Sequence, residues 1–233
     1  MFRRTLFSFL AFAAIAALAL SSQAQNTTAQ AQAQQTSQPQ SSTQAAPNYA
    51  LAGVRYDYRW EVYGGLAYSH FNAGPNLLQG ANLGGFDAQV ARFLTPRWAV
   101  AGNVRGYYGT SGVVPNPYGI EGPFVSQHMF LAGPEYRGPS NEHASLTLHA
   151  LVGGAYGRFE SALNGVPPAA LGLFSNQLAF GGAFGGSIDL NRSPRLAFRI
   201  SPDATITKYG SSGIQDQFAI SVGLVYRMGK GLK

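Results

Sequence analysis

The residues best suited by type to do chemistry are Ser69 and His70, heading the stretch Ser69-His70-Phe71-Asn72, together with a set of charges spread through otherwise apolar segments. A hydroxyl nucleophile needs its base within hydrogen-bond reach and an acid behind that base to orient it. Ser69 and His70 are adjacent, and adjacent residues on a strand point to opposite faces, so they do not serve each other. His70 reads as a solvent-facing or girdle histidine. His128, His143 and His149 lack metal-ligand spacing, with His143 in a turn. No catalytic group, metal or cofactor is expected.

The charges make sense only once the elements carrying them are placed. In Gln217 to Met228, Phe218, Ile220, Val222, Leu224 and Tyr226 alternate with Ala219, Ser221, Gly223, Val225 and Arg227, giving one bulky apolar face and one mostly small face. A small barrel in lipid reverses ordinary burial in this way, with bulky groups outside and small or polar groups in a narrow lumen. Seven further segments alternate likewise: Arg59 to His70, Leu83 to Leu94, Trp98 to Tyr108, Phe124 to Arg137, Ser145 to Phe159, Gln177 to Leu190 and Arg195 to Thr207. The expected fold is all-β, an eight-stranded antiparallel up-and-down transmembrane barrel. Connections alternate between long and short, which places both termini on the periplasmic side of an outer membrane.

The turn Thr95-Pro96-Arg97 predicts a register. Folding back about Pro96 sets Asp87 opposite Arg105, Phe86 opposite Gly106, Ala88 opposite Val104, Val90 opposite Gly102 and Arg92 opposite Val100. The same construction across Asn191 to Pro194 pairs Ile188 with Leu196 and Asp189 with Arg195, and leaves Gly185 opposite Arg199, with room for Arg199 to reach Asp203 or Glu135. Reading every strand this way sends Glu61, Asp87, Arg105, Glu135, Arg137, Asp189, Arg195, Arg199 and Asp203 into the lumen, where acids and bases nearly balance as paired plugs. The fourth strand is oriented by Glu135 and Arg137, and bulges are expected at Pro134 and Pro202. Trp60, Tyr68, Trp98, Tyr108, Tyr156 and Tyr226 face out as an aromatic girdle, bracketing an apolar band about 25 Å tall.

Composition agrees with one small barrel behind a leader. The chain has 233 residues, 29 of them Gly, no Cys, and 11% charged residues. Residues 1–24 read as a signal peptide, with Arg3 and Arg4, an apolar run from Leu6 to Leu20, and Ser22-Gln23-Ala24 as a cleavage site. Removing Arg3 and Arg4 from 16 basic residues, against 10 acidic ones, leaves a mature net charge of +4. Those bases are scattered, which gives no support to nucleic-acid binding. Residues 25–57, rich in Gln, Ala, Ser and Thr, read as a disordered spacer, and 58–233 as the barrel.

Gly64-Gly65-Leu66-Ala67-Tyr68-Ser69, Phe130-Leu131-Ala132-Gly133-Pro134-Glu135-Tyr136-Arg137, and Ala197-Phe198-Arg199-Ile200 followed by Asp203 together carry a resemblance. From Tyr58 to Met228 the chain resembles the small outer-membrane β-barrel family related to the OmpA transmembrane domain and the opacity-type adhesins. The resemblance implies residence in the outer membrane of a Gram-negative-type bacterium. It also implies insertion by the barrel-assembly machinery, with Ser221, Gly223, Tyr226 and Met228 as the assembly signal, although the chain runs on through Lys233 instead of stopping at an aromatic. Barrel enzymes that cleave lipid A acyl chains carry a rim His followed by Ser two positions later, where Asn72 stands here. The main expectation is a non-enzymatic barrel with a structural or surface role, touching lipid through its walls and any ligand through its four longer loops. The alternatives are a narrow channel for small solutes and, after it, a lipid A-modifying enzyme.

Overall fold

A computed structural model describes residues 51, 53–75, 77, 80–210, 213–229 and 231. The expected signal peptide and the spacer up to residue 50 lie outside the described residues. Eight strands follow one another as β1 (Trp60–Phe71), β2 (Ala81–Phe93), β3 (Trp98–Thr110), β4 (Phe124–Ser140), β5 (Ala144–Arg158), β6 (Gln177–Asn191), β7 (Leu196–Thr207) and β8 (Gln215–Met228). Each pairs antiparallel with its neighbours, and β8 closes the barrel on β1, where Trp60 faces Met228 and His70 faces Phe218. Closure removes every free sheet edge.

Burial alternates along each strand and is inverted. Leu66 and Phe130 are 75% and 59% exposed, whereas Glu61, Arg105 and Arg227 are 2%, 1% and 0% exposed. Leaving one large apolar side chain in water forgoes roughly 1.5–3 kcal/mol relative to burying it. A band of such groups around all eight strands therefore calls for apolar surroundings.

The β2–β3 hairpin has the expected register, with Asp87 opposite Arg105, Val90 opposite Gly102 and Arg92 opposite Val100. The β6–β7 hairpin does not. It pairs Ile188 with Ile200 and Asp189 with Arg199, four residues from the expected partners, and sets Asp203 opposite Gly185. The physical reason lies in the turn. Ser193 Oγ accepts from the amides of Arg195 and Leu196, and Leu196 O accepts from Arg192 and Ser193, so the hairpin centres on Pro194. Thr95 performs the same service around Pro96, with Trp98 O accepting from Leu94 and Thr95. An even slip leaves every side chain on its own face but changes its partner.

Neither Pro134 nor Pro202 creates a bulge. The ladder from β3 runs unbroken through Val100 and Pro134, and that from β8 runs through Ile220 and Pro202. On their other sides, toward β5 and β6, pairing lapses at the proline and resumes in the same register. Each missing N–H thus costs contacts on one side only. The irregularity in β4 falls later, between Arg137 and Ser140.

Candidate functional site: the charged lumen

Small residues on the inner face make room for long ones. A side chain at Gly185 would collide with the Asp203 carboxylate and lie 2.6 Å from Pro202 O, and one at Gly65 would meet the Tyr63 hydroxyl at 2.5 Å. Into this space project two linked charge clusters.

The first sits toward the turn end. Glu61 receives Arg137, Arg199 Nη2 at 3.2 Å and Arg227 Nε at 3.1 Å. Asp189 is gripped by Arg199 through Nε at 2.6 Å and Nη2 at 3.0 Å, and by Arg227 Nη2 at 3.1 Å. Arg227 also donates to Asn191 Oδ1 at 2.7 Å. Two carboxylates therefore hold three guanidiniums, whose planar forks suit such shared, multidentate bonding.

The second cluster lies nearer mid-barrel. Arg105 Nη1 reaches Asp203 Oδ2 at 2.5 Å, while its Nε lies 3.6 Å from Asp87 Oδ1. Asp87 is held mainly by Asn103 Nδ2 at 2.6 Å and Ser221 Oγ at 3.0 Å. Ser221 in turn accepts from the Tyr63 hydroxyl at 2.9 Å. His149 Nε2 stands 2.9 Å from Asp203 Oδ1.

Glu135 forms no ion pair among the described residues and joins the second cluster only through Gln89, whose Oε1 accepts from Asn103 Nδ2 at 3.5 Å. Gln89 Nε2 donates to Glu135 Oε2 at 2.5 Å, and Glu135 Oε1 has no hydrogen-bond partner among the described residues. Beyond the charges, toward the long loops, Phe71, Phe159, Phe174 and Tyr209 form an aromatic cap, with Phe159 stacked on Phe71 at 5.9 Å and edge-on to Tyr209 at 5.3 Å. Burial pushes the Tyr209 hydroxyl above its ordinary range, against the hydrogen bond it receives from Gln127. Phe174 N donates to Ala73 O and Val114 N to Leu171 O, tying three loops over this cap.

Eight of the nine charges expected in the lumen are there: Glu61, Asp87, Arg105, Glu135, Arg137, Asp189, Arg199 and Asp203. Arg195 is not. It sits in the β6–β7 turn, exposed, because the hairpin centres on Pro194, and Arg199 takes its place beside Asp189. Arg199 accordingly bonds Asp189 and Glu61, not Asp203 or Glu135. Arg227 is the lumen base that the site reading omitted, although its alternation with Val225 and Gly223 places it inward. Tyr56, assigned by composition to the spacer, is bound at the turn end: its hydroxyl donates to Asn141 O at 2.8 Å and accepts from Asn191 Nδ2 at 2.6 Å.

Trp60, Trp98 and Tyr226 face outward at the turn end, and Tyr68, Tyr108 and Tyr156 at the loop end. In β8, Ser221 points inward, Tyr226 and Met228 point outward, and Gly223 packs against the backbone of Gly64. Ser69 is buried and its hydroxyl donates to Phe218 O at 3.3 Å, whereas His70 faces outward with Nδ1 2.9 Å from Asn82 Oδ1. The two side chains occupy opposite faces of the wall.

No family model and no curated protein matches the chain. Solved structures do. Neisserial surface protein A matches with a TM-score of 0.53 at 11% identity, covering 72% of this chain and 97% of its own. Ail, the attachment invasion locus protein of Yersinia pestis, gives 0.49 at 20% identity over 74% of this chain and 99% of its own. The outer membrane protein OprG from Pseudomonas aeruginosa gives 0.45 at 13% identity over 73% and 96%. At such identities the shared property is the fold, that of the small outer-membrane β-barrels.

Proposed function

We propose that this chain is a non-enzymatic outer-membrane barrel whose lumen is plugged by its own side chains, and which serves as a structural or surface-interaction module through its loops. The observation carrying this reading is the filling of the lumen: carboxylates and guanidiniums interlock across its turn-side half, and an aromatic cap backed by three loops lies over the other end. Eight-stranded barrels are just wide enough for side chains to fill. An ion passing through would have to displace buried pairs whose separation leaves uncompensated charge.

The outward apolar band and its flanking aromatics support a lipid-embedded wall. Ser221, Gly223, Tyr226 and Met228 act as the signal for the assembly machinery, and both termini lie on the periplasmic side, as an even number of strands requires of a chain that begins there. Ail has been solved with the heparin analogue sucrose octasulfate. In this chain the long loops, which cap the barrel at the end opposite the short turns, are the place for a surface ligand. With Ser69 inward and His70 bound to Asn82 outward, overproduction should leave lipid A mass unchanged.

Fractionation tests this reading. The protein should sediment with outer membranes and migrate differently on a gel before and after boiling, and protease added to intact cells should cut only in the long loops. Recovery as soluble periplasmic protein with no heat shift would overturn it.

A further inference from the structure

Arg227 lies one residue from the end of β8, at the mouth of the barrel, yet none of it reaches the surface. Something outside the strands covers it. The guanidinium of Arg227 lies 4.9 Å from the centre of the Tyr56 ring, and that of Arg137 lies 5.1 Å from the same centre. Arg137 Nη1 further donates to Tyr56 O at 3.0 Å and to Pro96 O at 3.2 Å.

The Tyr56 hydroxyl joins what remains of the rim. It donates to Asn141 O in the β4–β5 turn and accepts from Asn191 Nδ2 at the end of β6. Asn191 Nδ2 also donates to Glu142 O at 3.0 Å. One residue ahead of β1 therefore contacts groups from β4, β6, β8 and a turn, none of which its own strand adjoins except β8.

We propose that residues 53–59 form a latch, with Tyr56 as its bolt, that closes the turn-end mouth of the lumen and shields the charge cluster behind it from water. The chemistry suits the position. An aromatic face stabilises a guanidinium without demanding its hydrogen bonds, and the attraction grows as water is excluded. Arg137 and Arg227 keep their forks for Glu61 and Asp189 while the ring lies against them.

The chain has no cysteine, so a single introduced thiol reports on the mouth. Ala197 is wholly buried near the start of β7, paired with Asn191 and Val225. Full-length Ala197→Cys protein, folded in detergent micelles, is treated with a charged, water-soluble thiol reagent. The thiol should react slowly. Adding Tyr56→Ala should raise the rate about tenfold or more, the shift expected when desolvated cation–π contacts are lost, while Tyr56→Phe, which keeps the ring, should stay close to the parent. Heat-shifted gel mobility confirms folding, and should the alanine variant not fold, Tyr56→Leu is read in its place. A parent thiol as reactive as in urea, or no acceleration on removing the ring, would overturn the latch. Thiol reactivity reads the latch and conductance reads the plugged lumen, so the two can fail separately.

Discussion

Arg105 and Asp203 meet across the lumen, Nη1 to Oδ2 at 2.5 Å, although β3 and β7 are not neighbours in the barrel. The cross-strand partner of Arg105, Asp87, is farther away, at 3.6 Å. Removing one member of a buried pair leaves an uncompensated charge, which costs about 3–5 kcal/mol when water is excluded. Arg105→Gln and Asp203→Asn should each lower the urea unfolding midpoint, and the double variant should lose less than the sum by about 1 kcal/mol or more. The same cycle with Asp87→Asn should show the smaller coupling, because Asn103 and Ser221 also hold that carboxylate. A larger coupling for Asp87 than for Asp203 in urea titrations would show that neighbouring strands decide the pairing.

Among the buried groups, Glu61, Asp87, Glu135, Asp189 and Asp203 face Arg105, Arg137, Arg199 and Arg227. Among the described residues, the buried carboxyl without an arginine ion pair is Glu135, bonded to Gln89. Glu135→Gln should therefore change stability by less than about 1 kcal/mol, while Glu61→Gln, which strips three guanidiniums of a shared acceptor, should cost about 3 kcal/mol or more. Urea midpoints of the two variants check this ordering.

The two turn-end arginines near β7 and β8 should behave oppositely. Arg195→Gln alters an exposed turn and should leave the unfolding midpoint unmoved. Arg227→Gln releases Glu61, Asp189 and Asn191 together and should lower the midpoint by more than any other single arginine replacement at the turn end.

The aromatic cap should be separable from the barrel. Phe159 contacts Phe71, Phe174 and Tyr209, and truncating a buried phenylalanine costs about 3–5 kcal/mol. Here the loss should fall on the loops, since the strand ladders do not depend on that ring. Phe159→Ala should speed proteolytic cutting between 111 and 123 and between 160 and 176, while the heat-shifted gel band persists.

Strand number, faces and the β2–β3 register were legible because alternation reports face directly and Pro96 marks the centre of its turn. The β6–β7 register was misread for a local reason. Ser193-Pro194-Arg195 repeats Thr95-Pro96-Arg97, and taking Pro194 as the centre, as with Pro96, yields the observed pairing of Asp189 with Arg199. Contacts across the lumen were not legible at all. Period two tells which face Arg105 occupies, but its meeting with Asp203 depends on barrel closure and strand stagger. Tyr56 was hidden for another reason: nothing about one aromatic just after a polar, low-complexity tract reveals a partner more than 80 residues away. The loop cap left no periodic trace, since Leu171 ends a single 3-10 turn (Pro168–Leu171) and Leu173 and Phe174 follow in irregular chain.

The central claim is that side chains fill the lumen, and single-channel recording of the refolded protein in planar bilayers tests it most directly. The account predicts a flat baseline for the parent chain, and the same baseline for Arg199→Lys, which keeps a charge beside Asp189 and Glu61. Steady, stepwise conductance in the parent, changed in size or ion preference when Arg199 is replaced, would show an open path through the charge cluster and contradict the plugged barrel.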